Sequence, residues 1–167
     1  MKTVTKLILL IILVASFTIE TFSQEHGIYH VKFEFYHSRR IPNNHVLVDI
    51  QRYGDSISVH VISEPMNNQN EKWTKTRIDT TFNLEKIEFD KIVVAVKKIN
   101  CGDISNGLNF TGLDGTTCII SYGGISTGIS YEVWTPNYDT KKRNLEDYME
   151  ACKLILMKAK LNPKEII

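Results

Sequence analysis

The stretch Val46-Leu47-Val48-Asp49-Ile50-Gln51-Arg52-Tyr53-Gly54-Asp55-Ser56-Ile57-Ser58-Val59-His60-Val61-Ile62 alternates apolar and polar residues on both sides of a Gly-Asp pair. A period of two sends successive side chains to opposite faces of a strand, and a Gly-first two-residue loop joins two such strands into a tight hairpin. With that turn, Ile50 faces Val59 and Val48 faces Val61 on one side. Gln51 faces Ser58, Asp49 faces His60 and Leu47 faces Ile62 on the other. Turn chemistry and apolar pattern select the same register, and a slip of one residue would drive Asp49 and His60 into the core.

Working outward, Ile28 to Tyr36 alternates in the same way, with Tyr29, Val31, Phe33 and Phe35 opposite His30, Lys32, Glu34 and Tyr36. A polar loop containing Arg39, Arg40, Pro42, Asn43 and Asn44 separates it from the hairpin. After a second polar loop that includes Pro65, the residues Thr74, Thr76, Ile78, Thr80 and Phe82 make a weaker fourth strand. The period then changes: Phe89, Ile92, Val93, Val96 and Ile99 recur at helical steps, with acids early, Lys97 and Lys98 late, and Asn83 as a cap.

Asp114-Gly115 is a turn that introduces a strand over Thr116 to Tyr122, and Gly123, Gly124 and Gly128 connect it to a last strand carrying Ile129, Tyr131 and Val133. Asn144 opens a second helix whose apolar stripe comprises Leu145, Tyr148, Met149, Cys152, Ile155, Leu156 and Ala159, stopped by Asn162-Pro163. The order is β-β-β-β-α-β-β-α. The expected fold is α+β: a two-layer, largely antiparallel sheet of about six strands with two amphipathic helices packed on one face.

The 167 residues are 43% hydrophobic and 23% charged, a composition that folds rather than remaining disordered. The apolar excess is uneven. Lys2 and Lys6 precede an apolar run from Leu7 to Ile19, shorter than the roughly 20 residues that cross a bilayer. Thr21-Phe22-Ser23 then supplies small residues for cleavage, so residues 1–23 are read as a signal peptide and 24–167 as one globular α+β domain, secreted or periplasmic, with no membrane span after cleavage. Loss of Lys2, Lys6 and Glu20 from a chain of 20 basic and 19 acidic residues leaves the remainder neutral. Neutrality argues against nucleic acid as a partner and against binding to anionic membranes by charge excess. The local basic run Lys141, Lys142, Arg143 is expected to be a solvated loop.

Chemical motifs are sparse. Gly124-Ile125-Ser126-Thr127-Gly128 matches the Gly-x-Ser-x-Gly pattern of a hydrolase nucleophile elbow, but it leads into a strand instead of the required helix, and no His follows His60. Leu113-Asp114-Gly115-Thr116 resembles the end of the Asp-x-Asp-Gly-Thr signature of haloacid-dehalogenase-type phosphatases. Gly112 occupies the position of that family's nucleophilic acid, so the turn reading is preferred. Asn109-Phe110-Thr111 fits a glycosylation sequon. Asp49 and His60 are expected cross-strand partners, an ordinary surface pair; no third ligand is positioned by spacing, so no metal and no cofactor is assigned. Among Cys101, Cys118 and Cys152, the preferred disulfide is Cys101 with Cys118, since Cys152 sits in the helical stripe, although sequence leaves connectivity open.

No catalytic residue is assigned. The leading functional expectation is a binding module, of an inhibitor or immunity type, that meets an unknown protein partner through the outer sheet face. Its candidate residues are His30, Glu34, Tyr36, Asp49, Tyr53 and His60, beside Leu47 and Ile62. The alternatives are an extracytoplasmic hydrolase using Asp49 and His60 or a Cys118 thiolate, and a structural subunit of an envelope assembly. Expression of the full chain in a secreting host should yield a product that begins at Gln24 by N-terminal sequencing; a product retaining Met1 would exclude the cleavable leader.

Overall fold

Strand alternation and helical stripes must bury their apolar sides against each other, and one sheet with helices on a single face does so for both. The computed structural model of the protein describes residues 27–37, 43–65, 77–107 and 115–167. In chain order the elements are β1 (His30–His37), β2 (His45–Tyr53), β3 (Ser56–Glu64), β4 (Ile78–Asn83), α1 (Lys86–Lys98), α2 (Cys101–Gly107), β5 (Thr116–Gly123), β6 (Gly128–Trp134), α3 (Glu146–Lys158) and α4 (Pro163–Ile166). The strands form one six-stranded sheet in the order β4-β3-β2-β1-β5-β6. Every neighbouring pair is antiparallel, and the fold is α+β as expected.

The hairpin register is the one its turn dictates, with Ile50 opposite Val59, Val48 opposite Val61 and Asp49 opposite His60. Gly54 adopts φ +61°, the left-handed conformation that the turn needs and that glycine reaches without steric cost. At the other hairpin, a Cβ on Gly123 would collide with the Thr127 carbonyl oxygen, so glycine is required where β5 bends into the loop before β6.

Strand parity then decides what is inside. Val31, Phe33 and Phe35 of β1, Val46, Val48 and Ile50 of β2, Ile57, Val59 and Val61 of β3, and Cys118 and Ile120 of β5 are all buried. They meet Phe89, Ile92 and Val96 from α1 and Tyr148, Cys152, Ile155 and Leu156 from α3 in one cluster. The polar tip of Tyr148 is satisfied inside that layer, where its hydroxyl donates to the Cys118 carbonyl oxygen at 2.7 Å. Burial, reinforced by the neighbouring thiols, pushes the Tyr148 phenol well above its ordinary value, so it stays a neutral donor.

Several local expectations change under tertiary contacts. Asn83 is not a helix cap: it is the last residue of β4, opposite Ser58, and Leu84 N extends the ladder by donating to Ile57 O at 2.9 Å. The first residue of α1 is Lys86, preceded by Glu85 with no side-chain cap. Asn144 takes φ +51° and lies one residue before the Leu145 cap position of α3. Helix α3 is ended by Lys160 at φ +60°, and Asn162-Pro163 starts α4 instead of stopping α3, with the Asn162 side chain accepting from Lys164 N at 3.2 Å. Pro at the first helical position forfeits no hydrogen bond, which is why the pair begins a helix as readily as it stops one.

Arg143 is also not solvated. It is only 6% exposed and donates to the backbone oxygens of Thr135 at 2.7 Å, Trp134 at 2.9 Å and Tyr138 at 3.2 Å, tying the exit of β6 to the entry of α3. Cys101 does not end α1 but opens the separate helix α2, and all three cysteines are free thiols, Cys101 exposed and the other two buried. The expected partners thus differ in setting, Cys101 at the surface and Cys118 in the core. Among the described residues no helix is long and apolar enough to cross a membrane. The leader, Arg39, Arg40, Thr74, Thr76, the sequon at Asn109 and the acid of the Asp114-Gly115 turn lie outside the described residues.

Replacing Phe33 by Ala at the fully buried centre of β1 should cost about 3–5 kcal/mol of stability. Replacing Tyr148 by Phe, which deletes one buried hydrogen bond, should cost about 1–2 kcal/mol. Urea denaturation measures both; a Phe33 variant as stable as the parent would mean that β1 is not central to the core.

Candidate binding face

The residues that alternate away from the core share one surface. From β1 these are His30, Lys32, Glu34 and Tyr36; β2 adds His45, Leu47, Asp49 and Gln51; β3 adds Ser58, His60 and Ile62. All six candidate residues stand on this face or at its rim, Tyr53 being the last residue of β2. The two long helices cover the opposite side.

The face is laced by short polar links. Three imidazoles each lie against a carboxylate: His30 Nε2 is 2.9 Å from Asp49 Oδ1, His45 Nδ1 is 3.6 Å from Glu64 Oε2, and His60 Nε2 is 3.0 Å from Asp79 Oδ1. Arg77 joins the last two acids, reaching Glu64 at 3.1 Å and Asp79 at 2.9 Å. Gln51 donates to Asp49 Oδ2 at 2.9 Å, and the Tyr53 hydroxyl donates to Gln51 in turn. At the other end of the face, Glu34 pairs with Lys32 and accepts from the Tyr36 hydroxyl at 2.6 Å, while the Tyr36 ring stacks on His45 with centroids 4.6 Å apart.

Asp49 and His60 are therefore directly opposed along the backbone, yet their side chains serve other partners. Both carboxylate oxygens of Asp49 are engaged, one by His30 and one by Gln51. His60 turns toward β4 and takes Asp79, a diagonal neighbour within reach on a twisted sheet. The expected two-residue pair is replaced by a chain of pairs across four strands. No group of three or more His, Cys, Asp or Glu side chains converges on a metal-sized site among the described residues.

One end of the face deepens into a cleft of about 580 Å³ between the β2–β3 turn and the β5–β6 loop. Tyr29, His30, Arg52, Tyr53 and Ile125 line it, and the last two protrude, at 70% and 93% exposure. Tyr29 and Ile125 were not among the expected site residues. Tyr29 shares the parity of the core residues but precedes β1 and is exposed. Ile125 carried a legible signal, an isolated large apolar residue in a glycine-rich loop with no strand partner to cover it.

Ser126 sits in that hairpin loop, as its strand context requires. It lines a shallow recess with His30, but no hydrogen bond joins the two among the described residues, and His30 Nε2 is held by Asp49. Cys118 is fully buried beneath the sheet and offers no thiolate to a substrate.

The electrostatics at the Tyr36 end can be tested directly. The hydrogen bond to Glu34, helped by partial burial and the carboxylate charge, pushes the Tyr36 phenol up to about 12. For Glu34, burial is the largest single influence and raises its value, but hydrogen bonds from Lys32 and Tyr36 together outweigh it, so the carboxyl is held below the ordinary range. The raised Tyr36 value stabilises the folded state at every pH below the ordinary phenol value of 10.0, and this is lost as pH climbs toward about 12. The lowered Glu34 value stabilises it above the ordinary carboxyl value of 4.5, and this is lost as the acid is protonated on going down. Glu34→Gln should bring Tyr36 ionisation down toward 10.0 in an NMR-monitored titration; an unmoved midpoint would mean that Glu34 is not its partner. No family model and no curated protein matches this chain.

Proposed function

We propose that the protein is a secreted or periplasmic binding module that recognises a protein partner, in the manner of an inhibitor or immunity protein, through the face of the sheet opposite the helices. The observation that carries this reading is the separation of its exposed aromatic anchors. Tyr36 pairs with His45 at one end of β2, and Tyr53 closes the other end, eight residues along the same strand, a span of about 27 Å. A small molecule cannot touch both. A protein surface of ordinary interface size does so readily, and tyrosines set among hydrogen-bonded polar groups are the side chains that anchor such interfaces.

The polar links support recognition rather than chemistry. Carboxylates and imidazoles already holding one another in fixed rotamers present donors and acceptors with little further ordering cost on binding. Tyr53 and Ile125 flank the cleft as apolar projections, with Arg52 and His30 between them, an arrangement suited to gripping a protruding partner side chain.

The double variant Tyr36→Ala, Tyr53→Ala removes both anchors without touching the core. In affinity capture from the native secreted fraction, it should weaken partner binding by about 30-fold or more while its thermal unfolding profile stays within a few degrees of the parent. Capture at parental strength by a folded double variant would reject this face.

A further inference from the structure

We propose that Cys118 and Cys152 form a disulfide that ties β5 to α3 inside the core, leaving Cys101 as a free thiol. The inference is independent of the binding reading, because it rests on the inner side of the sheet.

Both cysteines are fully buried, one on the inward side of the sheet and one on the helix face that packs over it. Tyr148 fixes the relative position of those two elements through its 2.7 Å hydrogen bond to the Cys118 carbonyl oxygen. Cys152 follows Tyr148 by four residues, one helical turn along the same face, so the helix geometry that seats Tyr148 over Cys118 also brings Cys152 to it. The Cys152 side chain is within hydrogen-bonding reach of both the Cys118 thiol and the Tyr148 hydroxyl.

Cys101 is placed differently. It is an exposed residue at the start of α2 and contributes to raising the Tyr122 phenol. Two buried thiols within hydrogen-bonding reach of each other, with the third exposed, favour the Cys118–Cys152 pairing.

The reaction is thiol–disulfide exchange with oxidised glutathione or the disulfide form of a thiol oxidoreductase. One cysteine thiolate attacks a sulfur of the oxidant, forming a mixed disulfide and releasing a thiolate that takes up a proton. The second cysteine then gives up its proton and displaces the remaining oxidant thiolate, so two protein thiols become one disulfide and the oxidant is reduced to two thiols. Burial strongly disfavours the Cys152 thiolate once the core has closed. The exchange therefore belongs to folding, before α3 docks, and the closed core then shields the bond.

Refolding the denatured, reduced chain in a glutathione redox buffer, followed by denaturation and alkylation, tests the pairing whatever compartment the protein occupies. The expected product has lost two hydrogen atoms in mass, carries one alkylated cysteine at position 101, and yields a proteolytic fragment linking Cys118 to Cys152. A crosslink that includes Cys101, or three alkylated cysteines, would overturn the proposal. Cys101→Ser, an exposed substitution, supplies the second arm: it should refold to a product with no alkylatable thiol, and two alkylated cysteines there would overturn it equally.

Discussion

Everything in this fold follows from which way the side chains of β2 and β3 point, and the tight turn at Gly54 decides that. With φ +61° at Gly54, the turn is two residues long and the strand register cannot slip without reopening it. Because strand side chains alternate strictly, the register assigns Val48, Ile50, Val59 and Val61 to the helices and Asp49, Gln51 and His60 to the other side. β1 inherits the same parity by pairing with β2, and β5 inherits it from β1. A one-residue error at the turn would expose four core aliphatics and bury a carboxylate and an imidazole together, a difference comparable to the whole stability of an ordinary domain.

This explains why some features were legible in the residues alone and others were not. The hairpin, the sheet's inner and outer sides and the two long helices are encoded by local periods of 2 and 3.6, and those periods survive folding because each buried face reinforces them. Helix ends are less legible because they are contested. Asn83 has the chemistry of a cap, but β3 offered its backbone a ladder to join, and the ladder extended through Leu84. Arg143 sits in a run that looks solvated, yet three carbonyls around the end of β6 converge on its guanidinium, a convergence that exists only after the chain has folded back.

The outer face shows the same division between backbone and side chain. Directly opposed residues follow from the turn, so the alignment of Asp49 with His60 could be derived. Side-chain partners on a sheet are chosen among direct and diagonal neighbours on both adjacent strands, and here the outcome depended on His30 from β1 and Asp79 from β4. The candidate residues were therefore found, but not their pairing. The cleft was beyond reach for a related reason: it is made by two turns distant in sequence, brought side by side because β1 lies between β2 and β5.

The two faces of the sheet solve opposite problems with the same strands. Inside, stability comes from removing apolar surface from water, and the few polar atoms present, such as the Tyr148 hydroxyl, must be satisfied by protein groups. Outside, where among the described residues no helix packs on the sheet, the face carries acids, bases and amides that pair across the strands. Surface pairs of this kind add little to stability individually, about 0–1 kcal/mol each. Their value is positional: they set which half-buried side chains meet one another between Tyr36 and Tyr53. With a net charge of only +1 on the whole chain, the polar character of this face is set by local pairs and not by a long-range field.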